Sequence, residues 1–256
     1  MNLLHGKGLS LTLGGHKILE RLDIRLQRGE LLGLIGPNGA GKSSLLKILA
    51  GLRVPDMGEV YLGKEHLNEI PTEARARRIA WLGQQREVHW PLSVETLIEL
   101  GRVPHLAGWE KTCDRDQRII DQVIVQTDLQ SLRQRPFNTL SGGEQARALL
   151  ARALATQPDI LLCDEPVAAL DIAHQLDMMS LLANYAAGDK GVVIVLHDLP
   201  LACQFCDRLV LLHDGHLLAE GRVDTVLTPQ NMLLAYQITP RSTSADDPFA
   251  IPWQRK

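Results

Sequence analysis

Gly36-Pro37-Asn38-Gly39-Ala40-Gly41-Lys42-Ser43 is the stretch from which the fold is read. A short apolar run, Leu31 to Ile35, leads into it, and Leu45, Leu46, Ile48 and Leu49 follow at helical spacing. The order is therefore strand, loop, helix, the setting in which Gly-x-x-x-x-Gly-Lys-Ser is a phosphate loop. The glycines let the backbone curl so that successive N–H groups point inward at phosphate oxygens. A helix beginning near Lys42 adds its positive end. In that frame Lys42 reaches the β- and γ-phosphates and Ser43 offers a hydroxyl to Mg2+. Pro37, Asn38, Gly39, Ala40 and Ser44 complete the cradle. A glycine-rich turn that merely joins a strand to a helix accounts for neither the Lys-Ser register nor the two flanks.

Ile160-Leu161-Leu162-Cys163 is a fully apolar run that ends in Asp164-Glu165-Pro166. Ligands of open parallel sheets sit outside the carboxyl ends of the strands, so these acids are expected at the rim that carries the phosphate loop. Asp164 suits Mg2+, which favours oxygen ligands and keeps several waters. Glu165 is placed to polarise the water that attacks a γ-phosphate. Two surface carboxylates capping the next helix are the competing reading. A third run, Val192 to Leu196, delivers His197-Asp198 to the same rim. Taken alone His197 is an ordinary strand-end imidazole; in this company it can donate a hydrogen bond to the γ-phosphate. Together these features imply binding and hydrolysis of a nucleoside triphosphate.

Working outward, Leu9, Leu11 and Leu13 alternate with polar residues, as do Leu22, Ile24 and Leu26, with Gly14-Gly15 between them, which predicts half-buried strands joined by a turn. Between about Ser93 and Leu132 the spacing of Val94, Leu97 and Ile98, then Ile119, Ile120, Val123 and Ile124, predicts a helical lobe, with a charged linker over Lys111 to Arg118. Leu209 to Ala219, broken by Asp214-Gly215, predicts a closing hairpin. Continuous apolar runs separated by helical patterns predict an α/β core with a mainly parallel sheet covered on both faces. The last dozen residues, rich in Ser, Asp and Pro, read as a loose tail.

The chain of 256 residues is 45% hydrophobic and 22% charged, with a formal charge of −3 and four cysteines. Such a chain buries one sizeable core, or one core and a small lobe. The charge balance carries no basic footprint, so nucleic acid is not an expected partner. No unbroken apolar run approaches the ~18 residues of a membrane span. Four cysteines make no disulfide framework, which fits a reducing cytoplasm. Cys203 and Cys206 are expected on one helix face as buried thiols rather than a metal or redox pair.

Leu140-Ser141-Gly142-Gly143-Glu144-Gln145 stands just before the helical run Ala146 to Ala155. On its own, Ser-Gly-Gly reads equally as a helix cap and as an anion-facing turn. Between the phosphate loop and Asp164-Glu165, its order and spacing resemble the signature of the ATP-binding-cassette family over about residues 3 to 240. The resemblance implies one cassette, 1–240, with a core of about 1–84 and 141–240. That core would carry an N-terminal antiparallel β-subdomain, about 85–140 would form an inserted helical subdomain, and 241–256 a tail. It implies ATP and Mg2+, and a head-to-tail dimer in which Ser141, Gly142 and Gly143 of one copy face the phosphate loop of the other. It also makes Gln84 the Mg2+- and water-sensing glutamine, with Gln85 the adjacent ambiguity. Asp171, after Leu170, falls in the loop that communicates across the dimer, and His197 becomes the switch histidine. The helical lobe would receive transmembrane permease subunits at the cytoplasmic face of the inner membrane, and indirectly serve a periplasmic substrate-binding protein.

The stretches 89–94, 100–105, 197–199 and 227–231 most resemble bacterial importers of iron–siderophore, haem or cobalamin; an exporter ATPase or a soluble cassette protein is the alternative. Three departures stand out. Leu13 holds the place where the family stacks an aromatic residue on adenine, which leaves aliphatic surface or His16 for the base. Glu144 and Ala146 stand where glutamines are frequent. Val167-Ala168-Ala169 lacks the usual hydroxyl residues.

Overall fold

The computed structural model describes residues 2–83, 91–107, 110, 112–168, 170–240 and 253–255. The chain opens with a hairpin of β1 (Asn2–Leu13) and β2 (His16–Gln27), followed by β3 (Glu30–Ile35) and helix α1 (Lys42–Leu49). β4 (Met57–Leu62), β5 (Glu65–His66), α2 (Thr72–Arg78) and β6 (Ile79–Leu82) come next. The regular elements described between β6 and the following core helix are helices and 3-10 turns. They comprise α3 (Val94–Glu99), a 3-10 segment (Leu100–His105), α4 (Asp114–Gln126) and two short 3-10 turns. α5 (Gly142–Ala155), β7 (Ile160–Asp164), α6 (Ile172–Ala187), β8 (Gly191–Val195) and α7 (Leu199–Phe205) return to the sheet. β9 (Arg208–His213) and β10 (His216–Gly221) form the expected hairpin, and α8 (Val223–Val226) and α9 (Pro229–Tyr236) follow.

Two sheets carry the α/β architecture. A four-stranded antiparallel sheet runs β2-β1-β4-β5, and a six-stranded sheet runs β10-β9-β3-β8-β7-β6. In the larger sheet β9, β3, β8, β7 and β6 are parallel, and only β10 is antiparallel. The apolar runs of its strands are continuous because both faces are covered, and alternate residues enter opposite cores. Leu31, Leu161, Cys163, Val192 and Ile194 face α5, α6 and the helical lobe. Leu32, Leu34, Ile160, Leu162, Val193 and Val195 face α1 and the antiparallel sheet. Each fully buried Leu or Ile contributes about 2–5 kcal/mol by the cost of truncation to Ala.

The parallel register decides where the site forms. Leu34 and Asp164 both pair with Val195, and Leu82 pairs with Cys163, so β3, β7, β8 and β6 end at one edge. Among the described residues no helix is long and apolar enough to cross a membrane.

Three expectations change. Asp114 to Arg118 is not linker but the start of α4, because Asp116 reaches back to accept a hydrogen bond from the Cys113 amide and so starts the helix. α7 ends at Phe205 and Cys206 has turned into extended backbone, so the two thiols part: Cys206 is buried and Cys203 is exposed. In the stretch expected to be loose, β12 (Trp253–Arg255) pairs antiparallel with β11 (Ile238–Pro240).

Candidate functional site

The phosphate loop leaves β3 at Gly36, where φ is 146° and an added Cβ would lie 2.3 Å from the Leu212 carbonyl oxygen. Any side chain there would strike the backbone of β9, so the close approach requires glycine. α1 starts directly after Gly41 with no acidic residue in its first turn, so its positive end is left for an anion. Lys42 is buried, and its Nζ donates to the carbonyls of Gly36 (2.7 Å) and Pro37 (2.9 Å), which folds the loop around the ammonium group. Burial holds that ammonium below its ordinary pKa, while Glu165 and Asp164 pull it back up. The β1–β2 hairpin lies against the loop, since an added Cβ on Gly41 would sit 2.7 Å from the Ile18 carbonyl. Leu13 and His16 pair at the tip of that hairpin, with Leu13 exposed.

Asp164 ends β7 at 5% exposure, and its Oδ1 accepts a hydrogen bond from Ser43 Oγ at 3.0 Å. Burial pushes its carboxyl above the usual range and the neighbouring Glu165 adds to this; the Ser43 hydroxyl, Lys47 and Lys42 work against it. A hydroxyl and a carboxylate at this separation are two hard oxygen donors, the chemistry that suits Mg2+. Among the described residues no group of three His, Cys, Asp or Glu side chains could hold a metal. Ser43 and Asp164 alone do not fill the six-oxygen shell of Mg2+, so an ion held there needs further oxygen donors.

Glu165 has a φ of 52°, left-handed backbone that a residue with a Cβ adopts at a cost of about 1–2 kcal/mol. The turn is closed by the Ala168 amide donating to the Glu165 carbonyl at 3.2 Å. Glu165 Oε1 lies 2.7 Å from Nε2 of His197, the imidazole delivered just beyond β8. Asp198 next to it caps α7, its Oδ1 accepting from the Leu201 amide at 2.9 Å. Lys42, Ser43, Asp164, Glu165 and His197 are thus brought to one edge of the sheet from three strands.

A second cluster gathers at the N-termini of α5 and α6. Ser141 caps α5 through a reciprocal pair: its amide donates to Glu144 Oε2 at 2.7 Å and its Oγ accepts from the Glu144 amide at 3.4 Å. The hydrogen bond from the Ser141 amide holds the Glu144 carboxyl below its usual range. Glu144 at this position is therefore a capping residue. Asp171 caps α6, its Oδ1 accepting from the His174 amide at 2.9 Å, and the His174 ring packs over Gly143. The sequence reading passed over His174; the Asp-x-x-His spacing across a helix start was the available signal. The segment Gly101 to His105, one of the stretches that resemble bacterial importers, is held by buried groups. There Arg102 is buried, donating from Nε to Asp116 Oδ1 (2.8 Å) and from Nη1 to the Ala155 carbonyl (2.7 Å). His105 Nε2 meets the Thr156 carbonyl at 2.8 Å. Gln84 and Gln85 lie outside the described residues; the strand before them, β6, ends beside β7 at the edge that carries Asp164.

Residues 19–168 match the family model described as ABC transporter. A hemin import ATP-binding protein of Pseudomonas aeruginosa is 41% identical over 235 residues, covering 89% of this chain and 90% of the relative. A cobalamin import ATP-binding protein of Halobacterium salinarum is 37% identical over 230 residues, covering 90% of this chain; the chain spans 57% of that longer relative. Among solved structures, an inward-facing ABC transporter of metal-chelate type superposes with a TM-score of 0.82 at 26% identity, over 93% of this chain and 90% of that one. A dimeric bacterial ABC transporter cassette superposes at 0.77 with 30% identity, over 86% and 98% respectively.

Proposed function

The chain belongs to the ABC transporter family, and on that premise we propose that it is the ATP-binding and ATP-hydrolysing subunit of an importer for a metal chelate, hemin or cobalamin. The observation that carries the reading is the convergence of Lys42, the Ser43–Asp164 pair and the Glu165–His197 pair on one sheet edge. Backbone amides of the loop and the start of α1 bind the phosphates, and Lys42 exchanges its loop carbonyls for phosphate oxygens. Ser43 and Asp164 would hold Mg2+, with Gln84, two residues beyond the end of β6 in sequence; the ion would neutralise charge on the β- and γ-phosphates when bound. Glu165 orients and polarises the attacking water, and His197, whose Nε2 holds that carboxylate in the structure, turns its N–H to the γ-phosphate when ATP is bound.

The cassette is read as residues 1–240, with the helical subdomain at about 85–140, and two copies pack head to tail. Ser141, Gly142 and Gly143 of one copy complete the phosphate site of the other, and Asp171 lies at their interface. The dimeric relative among the solved cassettes supports the pairing of two copies. Leu100 and Val103 are exposed apolar residues on the 3-10 segment, which Arg77 anchors by donating to the Pro104 carbonyl at 2.6 Å. They are the surface on which a permease subunit docks, at the cytoplasmic face of the membrane, with a periplasmic binding protein serving the far side. Glu165→Gln keeps the shape of the side chain and removes its charge. It should abolish phosphate release from ATP yet retain nucleotide in a dimer detectable by light scattering. Turnover at the wild-type rate would sink the assignment.

A further inference from the structure

His174 joins two parts of the molecule that the proposed reaction uses in different places. Its amide and its Nδ1 both engage Asp171: the amide lies 2.9 Å from Oδ1, and Nδ1 lies 2.8 Å from each carboxylate oxygen. Its ring covers the second residue of α5, since a Cβ built on Gly143 would sit 3.4 to 3.6 Å from Cγ, Cδ2 and Nδ1. The N-terminal turn of α6 is thereby held against the N-terminal turn of α5 through one imidazole. Gln175, the next residue, donates from Nε2 to the Val167 carbonyl at 3.4 Å, in the loop that follows Glu165. One turn of α6 thus touches both the loop behind the chain's own Glu165 and the Ser141–Gly143 turn.

We infer that His174 is a positioning residue that sets the Ser141–Gly143 turn relative to Asp171, so that both present the correct geometry to the second copy. The inference rests on the two-chain sandwich proposed above. Its physical basis is that buried residues from Ala146 onward fix the body of α5, while at its first turn Ser141 and Glu144 bond each other and the His174 ring packs against Gly143. His174 is partly exposed and Asp171 largely so, so removing the ring leaves the hydrophobic cores untouched. A deleted contact of this kind misplaces the two amide-bearing turns without unfolding the chain, and the loss appears when the partner's phosphates must be met.

The test is made in the Glu165→Gln background, which holds ATP without turnover. His174→Ala should weaken ATP-dependent dimerisation at least tenfold by analytical ultracentrifugation, while the melting temperature and the affinity of the isolated chain for a fluorescent ATP analogue stay as in the parent. His174→Phe keeps the ring over Gly143 and loses the Asp171 hydrogen bond. His174→Asn keeps a donor and loses the ring; each should fall between the parent and His174→Ala. Equal dimerisation of all four proteins would overturn the inference and leave the sandwich standing. A His174→Ala protein with lowered melting temperature and lowered ATP affinity in the isolated chain would also overturn it, because the role is then general support of the fold. Failure of the parent Glu165→Gln to dimerise with ATP would remove the sandwich, and the inference with it.

Discussion

Nε2 of His197 lies 2.7 Å from Oε1 of Glu165, and Glu165 meets it from a left-handed backbone with φ of 52°. The imidazole holds the carboxylate that this turn presents. His197→Ala should lower kcat by about 10²–10⁴-fold, the range for a misplaced general base, and change KM by less than about threefold. Steady-state phosphate release measures both. A wild-type kcat would show that the His197 contact has no part in turnover.

Lys42 holds the Gly36–Ser43 loop through the Gly36 and Pro37 carbonyls. Lys42→Met keeps the apolar stem but leaves those carbonyls without their ammonium donor. It should cost about 1–3 kcal/mol in urea unfolding and abolish ATP binding by calorimetry. Retained ATP affinity would contradict the assignment of the loop.

The Ser43–Asp164 hydrogen bond of 3.0 Å places two oxygens where Mg2+ would need them. Ser43→Ala should raise the Mg2+ concentration needed for half-maximal nucleotide affinity by about tenfold, one hydrogen-bonded oxygen ligand being worth roughly 1.4 kcal/mol. Titration of nucleotide binding with Mg2+ at fixed ATP reads the shift, and an unchanged midpoint would exclude the hydroxyl as a ligand.

Gly101 is a close approach to the end of α5, for an added Cβ would lie 2.2 Å from the Arg152 carbonyl oxygen. Gly101→Ala should cost about 1–3 kcal/mol through the backbone shift it forces. Arg102→Met leaves the buried Asp116 without its cation and should cost about 3–5 kcal/mol. Denaturant titration measures both; loss of less than about 0.5 kcal/mol in either would mean the segment is not clamped as described.

The amide of Cys113, then its thiol and the Arg102 guanidinium, hold the Asp116 carboxyl down at about 2. Its folded pKa is below the unfolded value of about 3.9, so the stability it contributes is present above about pH 4 and lost as pH falls toward 2. Asp116→Asn removes that dependence. The stability gap between wild type and Asp116→Asn should therefore shrink between pH 5 and pH 3, as estimated by urea titration at about those values. A constant gap would contradict the pairing.

Leu31 to Ser43 and Ile160 to Glu165 were legible as strand, loop and acidic strand end because their signals are carried by consecutive residues. Apolar runs, glycine spacing and the residues directly after a strand need no distant partner to be read. The same holds for Ser141-Gly142-Gly143 before its helix, for the β1–β2 hairpin of the antiparallel sheet and for the β9–β10 hairpin that edges the larger one. The cysteine pair was misread because helix periodicity was extended past Phe205, whereas the chain turns at Cys206 to enter β9. The start of α4 was missed because Asp114 to Arg118 is polar throughout, and it is a cap, not an apolar stripe, that begins the helix.

What the sequence determined by itself was the Gly36–Ser43 loop, its strand and helix, the acid pair and the parallel class of the sheet. The tertiary structure alone decided which side chains meet. Ser43 reaches Asp164 across 121 residues, Arg102 reaches Ala155 across 53, and His174 covers Gly143. Such pairings depend on the order β9-β3-β8-β7-β6 and on how α5 and α6 pack over it. Backbone preference is a property of neighbours along the chain; contact between distant side chains is a property of the packed whole.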